Sequence, residues 1–176
     1  ISNGGQTAFR KAFAEAAGME PRRVAVHTVH QHDAPRCDFA ADALLEPHGL
    51  SGVGFDVAFA NDVIRRAAGA IKTAIENAKE VTHLGTGVGI VEKVASNRRI
   101  LGPDGKVQYT RWTACKDPKI RDFPVGLIDP ELKLIAFFQR DEPIAVLTYY
   151  ATHPQSYYRT GMANPDFPGL ARNARQ

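Results

Sequence analysis

Apolar positions recur at three and four in some stretches of the chain and alternate in others, and this pattern sets the expected elements. In residues 6–17 (QTAFRKAFAEAA), Phe9, Ala12, Phe13 and Ala16 fall on one helical face. Gly18 follows as a C-terminal cap, because it accepts positive φ without steric cost. Residues 22–29 (RRVAVHTV), short and rich in β-branched side chains, read as a strand. His30 to Gly54 carries Pro35, Pro47 and several glycines and reads mostly as loop; so long a loop in a compact domain tends to be functional. Residues 55–79 give the clearest helix. Ala60, Val63, Ile64, Ala67, Ile71, Ala74, Ile75 and Ala78 line one side, with Asp62, Arg65, Arg66, Lys72 and Lys79 on the other. The alanine-rich stripe implies close packing against a sheet.

Residues 81–94 (VTHLGTGVGIVEKV) alternate, with Leu84, Thr86, Val88 and Ile90 on one side and Gly85, Gly87 and Gly89 on the other. This predicts a strand with a bare face, open to close approach by another backbone. Its spacing is not that of a dinucleotide-binding loop, and no helix follows directly. Gly102-Pro103-Asp104-Gly105 is a turn joining two short strands. Residues 133–140 and 143–151 form a hairpin about Asp141 and Glu142, and Asp166-Phe167-Pro168 opens a last helix. The expected class is α/β, a mixed β-sheet flanked by helices, in a single domain over residues 1–176.

Composition narrows the function classes. Hydrophobic residues make up 44% and charged residues 23%, which fits a globular chain. No stretch approaches the roughly 18 consecutive apolar residues of a membrane span. The net charge of +3 is spread along the chain, with local pairs at Arg22-Arg23, Arg65-Arg66 and Arg98-Arg99. Nucleic-acid binders concentrate charge on one face and interleave aromatics, so no nucleic-acid partner is expected. Cys37 and Cys115 form no CxxC motif, which disfavours a cysteine metal site and leaves their pairing open. The chain starts at Ile1 and stops at Gln176 within a helical pattern, so a fragment of a larger protein is expected.

The candidate chemistry lies in the histidines. Three of the six crowd into His27-Thr28-Val29-His30-Gln31-His32. On an extended chain, residues two apart share a face, so His30 and His32 project together while His27 points away. Two such imidazoles can hold a divalent metal, or one can bind while the other acts as acid or hydrogen-bond donor. His153 stands at the end of an apolar strand, before Pro154 takes the chain out of regular pairing. His48 and His83 lack such company and read as surface or structural residues.

Five segments in order then resemble the neutral/alkaline non-lysosomal ceramidases. VHQHDAP (29–35) is similar to that family's HTHSGP or HTHSAP signature, and Asn97-Arg98 to its INRSP-type segment. Leu127-Ile128-Asp129-Pro130-Glu131 is similar to its VDPEV-like run. YYATHPQS (149–156) looks like WFATHSTS, and NPDFPG (164–169) like SPDNKG.

The resemblance implies Zn2+ bound by His30 and His153, with His32 and Arg98 in the catalytic site. His32 would contact the substrate or reacting centre, and Arg98 would polarise a carbonyl or hold an anionic group. It also implies a glutamate and a tyrosine ligand from a later chain segment not contained in these residues. The implied reaction is amide hydrolysis by a metal-activated water. The implied substrate is a small-molecule or lipid amide, with peripheral membrane contact and a secreted or periplasmic location. Arg36, Cys37 and Asp38 stand where ceramidases have a Gly-Gly stretch; Gln31, Asp33 and Arg99 also depart from the family pattern. These changes fall where substrate would sit, which points towards an amide or ester other than ceramide. The competing readings are a metal-dependent esterase or phosphoesterase, and a non-catalytic lipid- or carbohydrate-binding relative.

Overall fold

The periodic stripe of residues 6–17 lies within α1, Asn3–Ala17, which ends where Gly18 turns left-handed (φ 62°) and the Met19 N–H caps the Ala14 carbonyl at 2.9 Å. A computed structural model describes residues 1–176 and gathers them into two units: Ile1–Ala78 with Tyr157–Gln176, and Lys79–Ser156. The chain is of the α/β class. No helix is long and apolar enough to cross a membrane.

The first unit is helical. α2, Phe39–Leu45, and α3, Val57–Glu76, start at Asp38 and Asp56, whose carboxylates accept the N–H groups of Ala41 (3.0 Å) and Phe59 (2.8 Å). The alanine-rich face of α3, expected against a sheet, instead packs on α1 and buries Ala60 and Ile64. Small side chains allow close approach of a helix as readily as of a sheet. Cys37, Phe55 and Ala60 form the buried cluster, with Phe9, Phe39 and Val57 packed around it. Gly5 makes this possible: a Cβ there would stand 2.9 Å from the Cys37 sulfur. Cys37 is a buried free thiol, and Cys115 is free as well.

One further sequence expectation is corrected in this unit. Residues 22–29 are not a strand: Pro21–Arg23 form one 3₁₀ turn, and residues 24–31 run without a ladder. β-Branched residues favour extended backbone but do not supply a pairing partner. Residues 30–54 are mostly loop, as expected, but also contain α2 and a 3₁₀ turn at Glu46–His48. Pro35 precedes α2, and Pro47 sits in the turn that follows it, so neither interrupts the helix.

The second unit carries the strands. β1, His83–Ile90, pairs antiparallel with β4, Glu131–Gln139, which pairs antiparallel with β5, Glu142–Tyr150. β2, Arg99–Leu101, and β3, Val107–Thr110, form a separate antiparallel pair about the turn at Gly102–Gly105. α4 is the short helix Pro118–Arg121. The glycine face of β1 receives side chains rather than a backbone. A Cβ on Gly85 would lie 3.0 Å from the Phe138 ring, and one on Gly87 3.4 Å from Leu134. The opposite face of β1, with Leu84, Val88 and Ile90, is exposed. In the first unit the chain closes with α5, Asp166–Arg175, with Pro168 in its first turn as expected.

Candidate metal centre

In the first unit, the extended segment before α2 turns His30 and His32 to the same side. Their Nε2 atoms are 3.3 Å apart, and their rings meet edge-on with centroids 4.8 Å apart. Two nitrogens bound to one tetrahedral zinc at about 2.0–2.1 Å stand roughly 3.3–3.4 Å from each other. An N–H hydrogen bond prefers a shorter separation, about 2.9–3.0 Å. The pair therefore has the spacing of two ligands of one ion. His27 and His48 are exposed and outside this arrangement, and His83 lies flat on the Phe138 ring as a packing residue.

A network not foreseen from the sequence holds the pair. The Asp33 carboxylate accepts the Arg159 N–H at 2.8 Å and both the N–H and the hydroxyl of Thr160 at 2.6 Å. The Asp33 carbonyl accepts the Asn164 N–H, and the Gln31 side chain donates to the Pro165 carbonyl at 3.0 Å. The hydroxyl and N–H of Thr160 hold the Asp33 carboxyl below its usual range. Tyr158, from the same returning segment, brings its ring centroid to 5.9 Å from that of His32. Asp166, almost fully buried, closes the loop by accepting the Tyr157 N–H at 3.1 Å. The sequence signal was an aspartate beside the histidine cluster; its partners lie 126 and 127 positions away.

In the second unit, His153 follows β5 and its Nδ1 is 2.9 Å from the Arg98 guanidinium. A guanidinium only donates, so Nδ1 accepts this bond. A metal at His153 would take Nε2 with loss of the ring proton, or Nδ1 once Arg98 withdraws. Arg98 is fixed from behind. Arg111 donates its backbone N–H to the Arg98 carbonyl at 2.7 Å, and its guanidinium donates to the carbonyls of Asn97, Arg121, Phe123 and Pro124. The Asn97 side chain bridges the Leu127 carbonyl and the Arg99 N–H. The Arg98 guanidinium also lies over the Trp112 ring, 5.4 Å from its centroid, and Thr113 hydrogen-bonds Gln155. Sequence reasoning named Arg98 and His153 but passed over Trp112, whose sequence neighbours gave no motif.

The structure thus brings His30 to His32 within one unit and Arg98 to His153 within the other. Comparison of the chain with protein-family models, with curated proteins and with solved structures returned no match.

Proposed function

We propose that the protein is a zinc-dependent hydrolase that cleaves an amide bond with an activated water, and that His30, His32 and His153 hold the ion. Each ring offers one donor nitrogen. The observation that carries the reading is the 3.3 Å separation of the His30 and His32 Nε2 atoms. It favours His32 as a ligand over the substrate-contacting role implied by the resemblance. His153 is proposed as the third ligand because the chain tethers it. It lies five residues before Tyr158, whose ring is tilted towards that of His32, and five residues reach at most about 18 Å.

When bound, zinc supplies a Lewis acid that polarises a carbonyl and brings the pKa of water towards roughly 7. The chain's own residues do the rest. Asp33 and Gln31 keep the His30–His32 stretch in one setting, so the two nitrogens are arranged before the ion arrives. Arg98, held by its backbone and lying over Trp112, presents a fixed cation to a substrate oxygen.

Metal analysis of the full chain, with hydrolysis of a panel of N-acyl amides, tests this. The expected result is about one zinc per chain, lost in His30→Ala, His32→Ala and His153→Ala but kept in His27→Ala. Hydrolysis should fall with the zinc while the far-UV spectrum stays unchanged. A metal-free protein whose amide hydrolysis survives the three substitutions would reject the proposal.

A further inference from the structure

We infer that Arg98 and Trp112 form a carboxylate-recognition platform, and that the amide cleaved is an N-acyl amino acid; this rests on the amide-hydrolase reading above. Arg98 takes no part in the ion pairs that join Arg22, Arg65, Arg66 and Lys133 to acids. Its guanidinium lies over an indole and donates to a single side chain, His153. A planar fork of five N–H donors is thus held in place with most of its donors facing no side-chain acceptor. Such a fork matches the two oxygens of a carboxylate in its own plane. Neighbouring Arg111 is not available for this role, because four carbonyls occupy it.

Trp112 supplies the second half. It is 63% exposed, although indole is among the largest apolar groups a protein can bury. One face carries Arg98, and the rest of the ring is open to the apolar part of a ligand that arrives with its charge on the guanidinium. The hydrogen bond from Thr113 to Gln155 ties the tryptophan loop to the segment bearing His153. The distance also selects the ligand. Arg98 reaches His153 at 2.9 Å, so a bound carboxylate would lie close to the reacting carbonyl. An α-carboxylate, one carbon from the amide nitrogen, has that short spacing; a neutral lipid amide has no charge there. Hydrolysis adds water across the C–N bond. The acyl carbon gains the oxygen, and the nitrogen leaves with a proton as the amino group of the amino acid.

Trp112 is the one tryptophan in the sequence, so its emission reports on this platform alone. The experiment titrates N-octanoylglycine, its neutral amide N-octanoylglycinamide, and octyl phosphate into the full chain, with and without a zinc chelator, and measures zinc on the same samples. Saturable emission change with N-octanoylglycine, at least about tenfold tighter than with the other two and weakened about tenfold in Arg98→Gln, is expected. Arg98→Lys should recover only part of it, because an ammonium lacks the fork. In Trp112→Phe, equilibrium dialysis should show weaker binding with the carboxylate preference retained. Equal binding of acid and amide, or tighter binding of the phosphate, overturns the inference. Zinc content separates the two claims: carboxylate preference in a chain that never takes up zinc keeps the carboxylate platform of Arg98 and Trp112 and rejects the metal-dependent cleavage. Zinc uptake without the preference does the reverse.

Discussion

In the proposed site the guanidinium of Arg98 and a zinc ion would compete for His153, and this gives Arg98 a signature that a structural residue would lack. Removing a cation 2.9 Å from a ligand nitrogen eases the approach of a second cation. Arg98→Ala should therefore bind zinc at least as tightly as the parent chain, while kcat/KM for amide hydrolysis drops about 10²-fold. Parallel loss of zinc and activity would reduce Arg98 to a scaffold residue. Asp33 has a different signature. Its carboxyl is held below the usual value of about 3.9, so the folded state favours the ionised form. The stabilisation is complete above that pH and fades as pH falls through the lowered folded value. Amide exchange at Arg159 and Thr160 should accelerate as pH drops below about 4, relative to the intrinsic rate, and Asp33→Ala should show the same acceleration at neutral pH. Unchanged exchange at Thr160 in that variant would remove Asp33 from its positioning role. The pairing of His30 with His32 was legible because it follows from alternation along one extended segment. The Asp33 clasp was not, because a carboxylate in sequence does not reveal which distant N–H groups it will meet.

Elements with strong internal pattern were readable, and those that depend on a neighbour were not. α1, α3, the β2–β3 turn, the β4–β5 hairpin and the start of α5 emerge where periodicity or turn chemistry indicates them. The extended run after Pro21 has the side chains of a strand but no ladder, and α2 was hidden between two prolines. Asp38, whose carboxylate caps α2, was the overlooked cue. The glycines of β1 misled in a similar way: they signal close approach, but not by what. Because Phe138 occupies the space beside Gly85, Gly85→Ala should cost about 1–3 kcal/mol in urea unfolding. Gly89→Ala, which meets nothing within 4 Å, should cost less than half as much. Equal losses at the two positions would show that backbone freedom, not the phenyl ring, requires glycine there.

The chain enters the first unit twice, at Ile1–Ala78 and again at Tyr157–Gln176, whereas the second unit is continuous. No sequence pattern announced that division, because each stretch reads as ordinary alternating helix and strand. Truncation after Ser156 would remove every partner found for the Asp33 side chain and the hydrogen-bond partner of Gln31. It should raise hydrogen exchange throughout residues 30–37 and abolish the proposed zinc retention, while β4 and β5 keep their protection. Protection lost equally in β4 and β5 would mean that the returning segment supports both units alike.

The clasp between Asp33 and Thr160 also imposes a timetable. A ribosome releases the chain from its amino end, and 127 positions separate this acid from its hydroxyl partner. Until Thr160 emerges, the two adjacent imidazoles lack the anchor that sets their spacing. In the proposed site, readiness for metal thus waits until Thr160 has left the ribosome.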